Sequence, residues 1–293
     1  MKAQGTNFDS EFKLTANGKL LSLRTPVVMG ILNLTPDSFY DGGTIVSEKN
    51  LLVRAEKHIT EGASIIDVGA VSTKPNAKEV SEEDELLSLL PALKLLRKNF
   101  PGVFISIDTY RSKVAIAAAG EGADMINDIS GGTFDNNMFE AVAKLALPYI
   151  LMHINGTPQT MQQNPHYNNV VGDVFDFLTT QVNLAKQKGV AQLIIDVGFG
   201  FGKTTQHNYA LLANLKRFEE IGLPILVGAS RKGMIYKVLN TTPQEALNGT
   251  TVINTLALLN GANILRVHDA KEATEAMKLV NEYRSKNKAD TLR

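Results

Sequence analysis

The chain of 293 residues contains no cysteine, which excludes disulfides, thiolate metal sites and cysteine nucleophiles and fits a reducing compartment. It carries no net charge either. Thirty basic side chains balance thirty acidic ones, so no global field draws it to nucleic acid or to an anionic membrane, and any anion chemistry must be local. No stretch approaches the roughly 18 consecutive apolar residues of a membrane span, and the opening MKAQGTNFDSEFKL lacks the apolar run of a signal peptide. A cytoplasmic protein without nucleic-acid or membrane partners is expected. Three Asn-x-Thr triplets, at Asn155, Asn240 and Asn248, would matter only in a secreted chain and are read as chance. No linker or low-complexity tract divides the chain, so residues 1–293 read as one domain. What it does have is 44% hydrophobic and 20% charged residues, ample for one large core.

From Pro26 onward, short β-rich runs alternate with longer amphipathic segments. The runs are VVMGIL (27–32), SIIDVG (64–69), VFISID (103–108), DMINDI (124–129), YILMH (149–153), QLIID (192–196), ILVGA (225–229) and NILRVH (263–268). Each is nearly continuous in apolar residues, as strands covered on both faces must be. Eight βα units fit a closed (β/α)8 barrel or an open doubly wound sheet; the count of eight favours the TIM barrel. Helix signals lie between the runs: Ser81-Glu-Glu-Asp84 resembles a capping box, Thr242-Pro-Gln-Glu245 reads as a second helix start, and Gly62, Gly120, Gly189, Gly222 and Gly261 follow helices where left-handed caps are expected. Ahead of the first run, residues 1–25 contain Asn17-Gly18 between alternating stretches, a hairpin signal that suits a closure of the barrel bottom.

In such a barrel the C-terminal strand ends build the active site. Nearly every run here ends in polar residues: Asn33, Asp108, Asn127 with Asp128, His153, Asp196, Ser230-Arg231-Lys232, and Arg266 with His268. Any one of them could simply cap the next helix. Together they would be costly to desolvate without a polar ligand. Asp67, inside its strand, reads equally as a structural carboxylate or a site residue. Arg266 and His268, two residues apart on one strand face, suit an anion, with pairing of Arg266 to Asp269 or another carboxylate as the alternative. His153 reads as a hydrogen-bonded core histidine. The stretch GFGFGKT at 198–204 is not a P-loop, because Val197 stands where that motif needs glycine. It reads as a flexible loop bringing Phe199 or Phe201 to the mouth, with Lys203 a solvated cation.

The ordered motifs MGILNLTPDSFYDGG (29–43), IDVGAVSTKP (66–75), SIDT (106–109), INDI (126–129), MH with GTP (152–158), GFGFGK (198–203), SRK (230–232) and RVH (266–268) resemble the dihydropteroate synthase family across the whole barrel. The resemblance implies condensation of a dihydropterin methyl pyrophosphate with p-aminobenzoate. It implies pterin contacts at Asp108, Asn127, Asp196 and Lys232, and a pyrophosphate site at Asn33, Thr73, Lys74, Arg266 and His268 with Asn33 as a ligand to Mg2+. For p-aminobenzoate it implies Phe39, Thr73, Pro75, Phe201 and Ser230, helped by the start of the helix after Lys232. Asp108, Lys232, Arg266 and His268 are the expected catalytic groups, and a homodimer packed through the late helices is the expected assembly. A hard cation such as Mg2+ suits one amide oxygen plus substrate oxygens. The chain departs from the family pattern at Lys74 (commonly arginine), Val71 (glutamate), Asn76 (glycine), Val197 (proline) and Gly233 (serine). Gly233 removes one hydroxyl expected near the p-aminobenzoate carboxylate and bears on sulfonamide affinity. A pterin-binding methyltransferase barrel shares the pterin-facing residues but has no use for a pyrophosphate clamp; a non-catalytic pterin-binding module is the remaining alternative.

Overall fold

The computed structural model describes residues 12–34, 45–71 and 80–290, without the side chains of 45–47 and 287–290. A hairpin of β1 (Lys13–Ala16) and β2 (Lys19–Ser22) comes first, its two-residue turn formed by Asn17 and Gly18 with φ of 50° and 75°. Left-handed geometry at both turn positions matches the twist of the flanking strands, which is why Asn-Gly serves here. Then come β3 (Val27–Asn33), α1 (Ile45–Thr60), β4 (Ala63–Gly69), α2 (Glu82–Asn99), β5 (Phe104–Asp108), α3 (Ser112–Gly120) and β6 (Met125–Asp128). These are followed by α4 (Met138–Leu145), β7 (Tyr149–Met152), α5 (Val170–Gln187), β8 (Leu193–Asp196) and α6 (Thr205–Ala213). A 3-10 segment (Leu215–Ile221), β9 (Ile225–Val227), α7 (Gly233–Tyr236), α8 (Leu247–Leu259), β10 (Ile264–Val267) and α9 (Ala270–Asp290) complete the described chain.

Strands β3 to β10 are all parallel and close in sequence order, with β10 hydrogen-bonded to β3. That closure excludes the open sheet. All eight strands lie where the apolar runs predict them, to within two residues at each end. The two faces of each strand bury into different cores. Ile65, Met125, Ile194 and Ile264 fill the barrel interior, while their neighbours Ile66, Ile126, Ile195 and Leu265 join the shell between strands and helices. This period of two sets the direction of every polar residue further along the same strands.

Below the interior layer, Leu14, Ala16 and Leu23 pack with Val27, Phe104 and Ile264, so the hairpin closes the bottom as expected. Asp124, fully buried at the lower end of β6, ties it down. Its carboxylate accepts from Lys19 Nζ (2.7 Å), Asn17 Nδ2 (2.9 Å), the Ile105 N–H (2.9 Å) and Arg97. Gln192 adds a second tie, accepting from the Thr15 N–H at 2.7 Å and donating to the Thr15 carbonyl at 2.9 Å.

Three cap expectations change. Ser81 caps α2 by accepting from the Asp84 N–H at 3.1 Å, but Asp84 returns to the Ser81 hydroxyl instead of the backbone. Glu245 gathers Thr241 and Thr242 into a turn ahead of α8, which starts only at Leu247. Gly120 remains helical and Gly122 takes the positive φ; Gly62, Gly189, Gly222 and Gly261 have it as expected.

Candidate active site

One step above the interior isoleucine and methionine layer, alternation places Asp67 on β4, Asn127 on β6, Asp196 on β8 and Arg266 on β10, all facing inward. Alternate strands of a closed barrel contribute to a common layer, so these four meet across the axis. Arg266 Nε donates to Asp67 Oδ2 at 2.6 Å and its terminal nitrogen to Asp108 Oδ2 at 2.7 Å; Asn127 Nδ2 donates to the same Asp67 oxygen at 3.1 Å. Asp67 is therefore the hub that aims two expected ligand groups. Its other oxygen is buried without a hydrogen-bond partner among the described residues. Arg231, not Arg266, takes Asp269, through two bonds of 2.8 Å.

Glycines keep the mouth open. A Cβ on Gly228 would sit 3.8 Å from Arg266 and 3.9 Å from Asp196 Oδ2, and one on Gly69 would sit 3.3 Å from Asp108 and 3.6 Å from Asn33 Oδ1. Asp108, Asn127, Asp196, Arg266 and Asn33 thus surround one opening. Lys232 reaches it from the loop after β9, its Nζ donating to the Phe199 carbonyl at 2.6 Å and lying 4.4 Å from the centre of the Phe201 ring. Ser230 and His268 stand side by side, Oγ to Nδ1 at 3.0 Å, while the Ser230 oxygen also accepts the His268 backbone N–H at 3.2 Å. With the serine hydroxyl donating to Nδ1, the imidazole keeps its proton on Nε2, available to a ligand oxygen.

Charge follows from burial and neighbours. Burial pushes Asp108 up to about 7 against the pull of Arg266, and it raises Asp196 against Lys232 and the Gly198 N–H, which donates to Asp196 Oδ1 at 2.7 Å. Burial lowers Lys232 to about 8, with Asp196 opposing. His268 falls to about 4, through burial and then the charge of Arg266, so it is a neutral donor at pH 7. Arg266 stays charged: burial works against its proton, but Asp67, Asp108 and Asp196 outweigh it and raise its pKa.

Several expectations are revised. Lys203 is buried instead of solvated, 3% exposed, with its Nζ 2.9 Å from His153 Nδ1 and 2.9 Å from the Gly198 carbonyl. His153 is a core histidine, as read. The glycine-rich loop is tied to its surroundings by hydrogen bonds. Gln162 Nε2 donates to the Gly200 carbonyl at 2.7 Å, the Tyr167 hydroxyl donates to the Gly202 carbonyl at 2.8 Å, and Asn208 Oδ1 accepts from the Gly200 N–H at 2.7 Å. Phe199 is lost to the outer core, and Phe201 alone packs at the mouth with Met152, Ile154 and Met161. Asp128 turns outward to Ser130, Gly132 and Tyr149. Ser230 has no spare donor for a carboxylate while it serves His268. The helix after Lys232 is a single turn, Gly233–Tyr236, too short for a developed dipole. At Gly233 a Cβ would meet nothing closer than 3.5 Å, so the family's serine is missing for no reason of space. Phe39, Thr73, Lys74, Pro75 and Asn76 lie outside the described residues.

A cavity of about 620 Å³ lies at the other end of the barrel between Lys19, Leu21 and Phe104. Its one cation, Lys19, is taken by Asp124, so the chemistry belongs to the mouth.

Residues 29–268 match the family described as pterin binding enzyme. The dihydropteroate synthase of Haemophilus influenzae is 46% identical over 269 residues, covering 91% of this chain and 97% of that relative. Among solved structures, Yersinia pestis dihydropteroate synthase in a sulfonamide drug complex superposes with a TM-score of 0.87 at 42% identity, over 94% of this chain and 100% of that one. The Xanthomonas albilineans enzyme with 4-aminobenzoic acid gives 0.86 at 37% identity, over 94% and 99%. With the inward ring of Asp108, Asn127, Asp196, Lys232, Arg266 and His268 at the barrel mouth, the chain belongs to the pterin-binding enzymes and, within them, to the dihydropteroate synthase family.

Proposed function

We infer that this chain is a transferase that joins 6-hydroxymethyl-7,8-dihydropterin pyrophosphate to p-aminobenzoate, forming 7,8-dihydropteroate and pyrophosphate. The observation that carries it is the convergence of two acceptor carboxylates, an amide and three nitrogen donors on one barrel mouth. A pterin edge has an N–H and an amine beside a carbonyl, and Asp196 with Asn127 supplies the complementary acceptors and donor. Lys232 donates to ring acceptors, and the Phe201 ring beneath it offers an apolar floor for an aromatic amine.

Arg266 and the neutral Nε2–H of His268 hold the diphosphate. Substitution is dissociative: the bond from the pterin methylene carbon to the diphosphate oxygen breaks, its electron pair leaves with the diphosphate, and the cation is delocalised into the ring. The amine lone pair then forms the carbon–nitrogen bond and the nitrogen gives up a proton. Arg266 stabilises the departing charge and Asp108 the cation. An arylamine is already neutral at pH 7, so no strong base is needed.

Asn33 fits the expected Mg2+ site in chemistry. It stands exposed at the end of β3, its side-chain amide has no partner among the described residues, and a hard cation accepts one such oxygen with water and substrate oxygens filling the rest. When bound, the ion would neutralise diphosphate charge.

The homodimer reading is supported by an apolar face on α8 and α9, where Val252, Leu256, Leu259, Leu279 and Tyr283 are exposed. The cytoplasmic reading is supported by the composition; no described helix is long and apolar enough to cross a membrane.

Incubation of the purified chain with Mg2+, the pterin pyrophosphate and p-aminobenzoate should yield dihydropteroate and pyrophosphate in equal amounts. Absence of product at high enzyme concentration rejects the reading, and pyrophosphate release without coupling would mean hydrolysis instead of transfer.

A further inference from the structure

The loop from Val197 to Lys203 returns its backbone toward the segment after β7, and several carbonyls converge where they meet. Gly198 (φ 70°) lies so close that a Cβ there would sit 1.9 Å from the His153 carbonyl oxygen, and a Cβ on Gly202 (φ 64°) would sit 2.5 Å from that of Asn155. Lys203 Nζ occupies the convergence: it is 2.9 Å from the Gly198 oxygen, 3.0 Å from the Phe201 oxygen, 3.4 Å from the His153 oxygen and 2.9 Å from His153 Nδ1. Buried carbonyl oxygens facing one another are unfavourable unless a donor joins them. An ammonium has three N–H donors, enough for the three contacts of 3.0 Å or less, and in that arrangement His153 Nδ1 is the acceptor while the His153 carbonyl at 3.4 Å is the weakest partner. Consistent with that, burial and then the lysine charge hold His153 down to about 2. Burial pulls Lys203 well below the ordinary lysine range, with Asp196 opposing and Lys232 adding to the fall, so the convergence of acceptors rather than its charge is what holds the side chain there.

The two loop carbonyls that Lys203 grips, Gly198 and Phe201, bracket the parts of the loop that touch the mouth. Between them lies the Phe199 carbonyl that receives Lys232 at 2.6 Å, and the Phe201 ring lies 4.4 Å from the same Nζ. We propose that Lys203 is a positioning residue for the transfer reaction: from inside the barrel wall it fixes the glycine-rich loop so that Lys232 and Phe201 are held in register for pterin and arylamine. The assignment rests on the roles given above to Lys232 and Phe201, and Lys203 itself touches neither substrate.

The test uses the full chain with Lys203→Met, which keeps the stem and removes the donors, alone and combined with Phe201→Ala. Positioning through Phe201 predicts that Lys203→Met raises KM for p-aminobenzoate about tenfold, and that the double variant is no worse than Phe201→Ala. In the ¹⁵N spectrum of the Met variant His153 should titrate at higher pH than in wild type, since the lysine's share of the shift is removed while burial remains. Lys203→Gln, which retains two N–H donors, should raise the same KM by only about threefold, and it carries the test if the Met variant does not fold. An active wild-type enzyme with unchanged KM in these variants, or KM effects that multiply with Phe201→Ala, overturns the positioning role alone. A wild-type chain that makes no dihydropteroate removes the site reading, and this role with it.

Discussion

Arg266 serves two carboxylates at once, and at Asp108 its charge works against burial. Burial is the largest influence and raises Asp108 to about 7, with Arg266 pulling the other way; an unfolded aspartate titrates near about 3.9. Between about pH 4 and 7 the folded chain therefore keeps a proton that the unfolded chain has lost, so this group's contribution to stability falls as pH rises through that window and is level above it. Asp108→Asn keeps the shape and abolishes the titration. Denaturant unfolding should show wild type losing stability relative to this variant from pH 5 to pH 8, and parallel curves would contradict the burial of a protonatable Asp108. Asp196, also raised, and His268, lowered to about 4, are common to both proteins and largely cancel in the comparison. Asp108, Asn127, Asp196, Arg266 and His268 are legible in the sequence because each ends an apolar run. Their partners are not: Asp67 and Arg266 are 199 residues apart and meet only because β10 closes against β3. Lys203 carries no signal either, since a lysine in a loop is ordinarily solvated and only the convergence of carbonyls explains its burial.

Among the elements, the hairpin of β1 and β2 shows how far local pattern reaches. Asn17-Gly18 specifies the turn, and the apolar alternation specifies which face packs, but the anchor is a buried carboxylate just ahead of β6 that no local rule singles out. Asp124 joins Lys19 of the hairpin to Arg97 of α2. Removing a buried carboxylate leaves its cations unpaired, yet Lys19 and Arg97 are 18% and 20% exposed and can turn to water. Asp124→Ala should therefore cost on the order of 3 kcal/mol, the lower end for a broken buried pair, measured by denaturant midpoint at constant slope. Because the anchor lies at the opposite end of the barrel from the mouth, both KM values should remain at wild type. A change in KM would mean that the hairpin communicates with the strand ends. The same limit applied to α8: Thr242-Pro243 has the composition of a helix start, but Glu245 bonds back to Thr241 and Thr242 and closes a turn first.

For the molecule as a whole, the apolar residues outside the core matter most when they fall on one face. Single exposed apolar residues are normal on a monomer, while a contiguous row points to a partner. Val252, Leu256 and Leu259 recur at helical spacing on α8, Leu279 and Tyr283 do so on α9, and the two helices pack against each other. The groove between them, about 400 Å³, is bordered by Thr251, Thr255, Leu279 and Tyr283. With thirty charges of each sign, two copies meet no net repulsion, and a two-fold contact of this face with itself would cover the row on both. Leu279, 73% exposed, contributes nothing to its own barrel's core, so Leu279→Glu should leave the fold intact and place a carboxylate in that contact. Sedimentation velocity should then show a dimer for wild type and a monomer for the variant. Since the face is made of helix flanks and the mouth of strand ends, turnover per chain should change by less than about twofold, a difference in barrier below about half a kcal/mol. A wild type that sediments as a monomer at every concentration removes the dimer and leaves the site untouched.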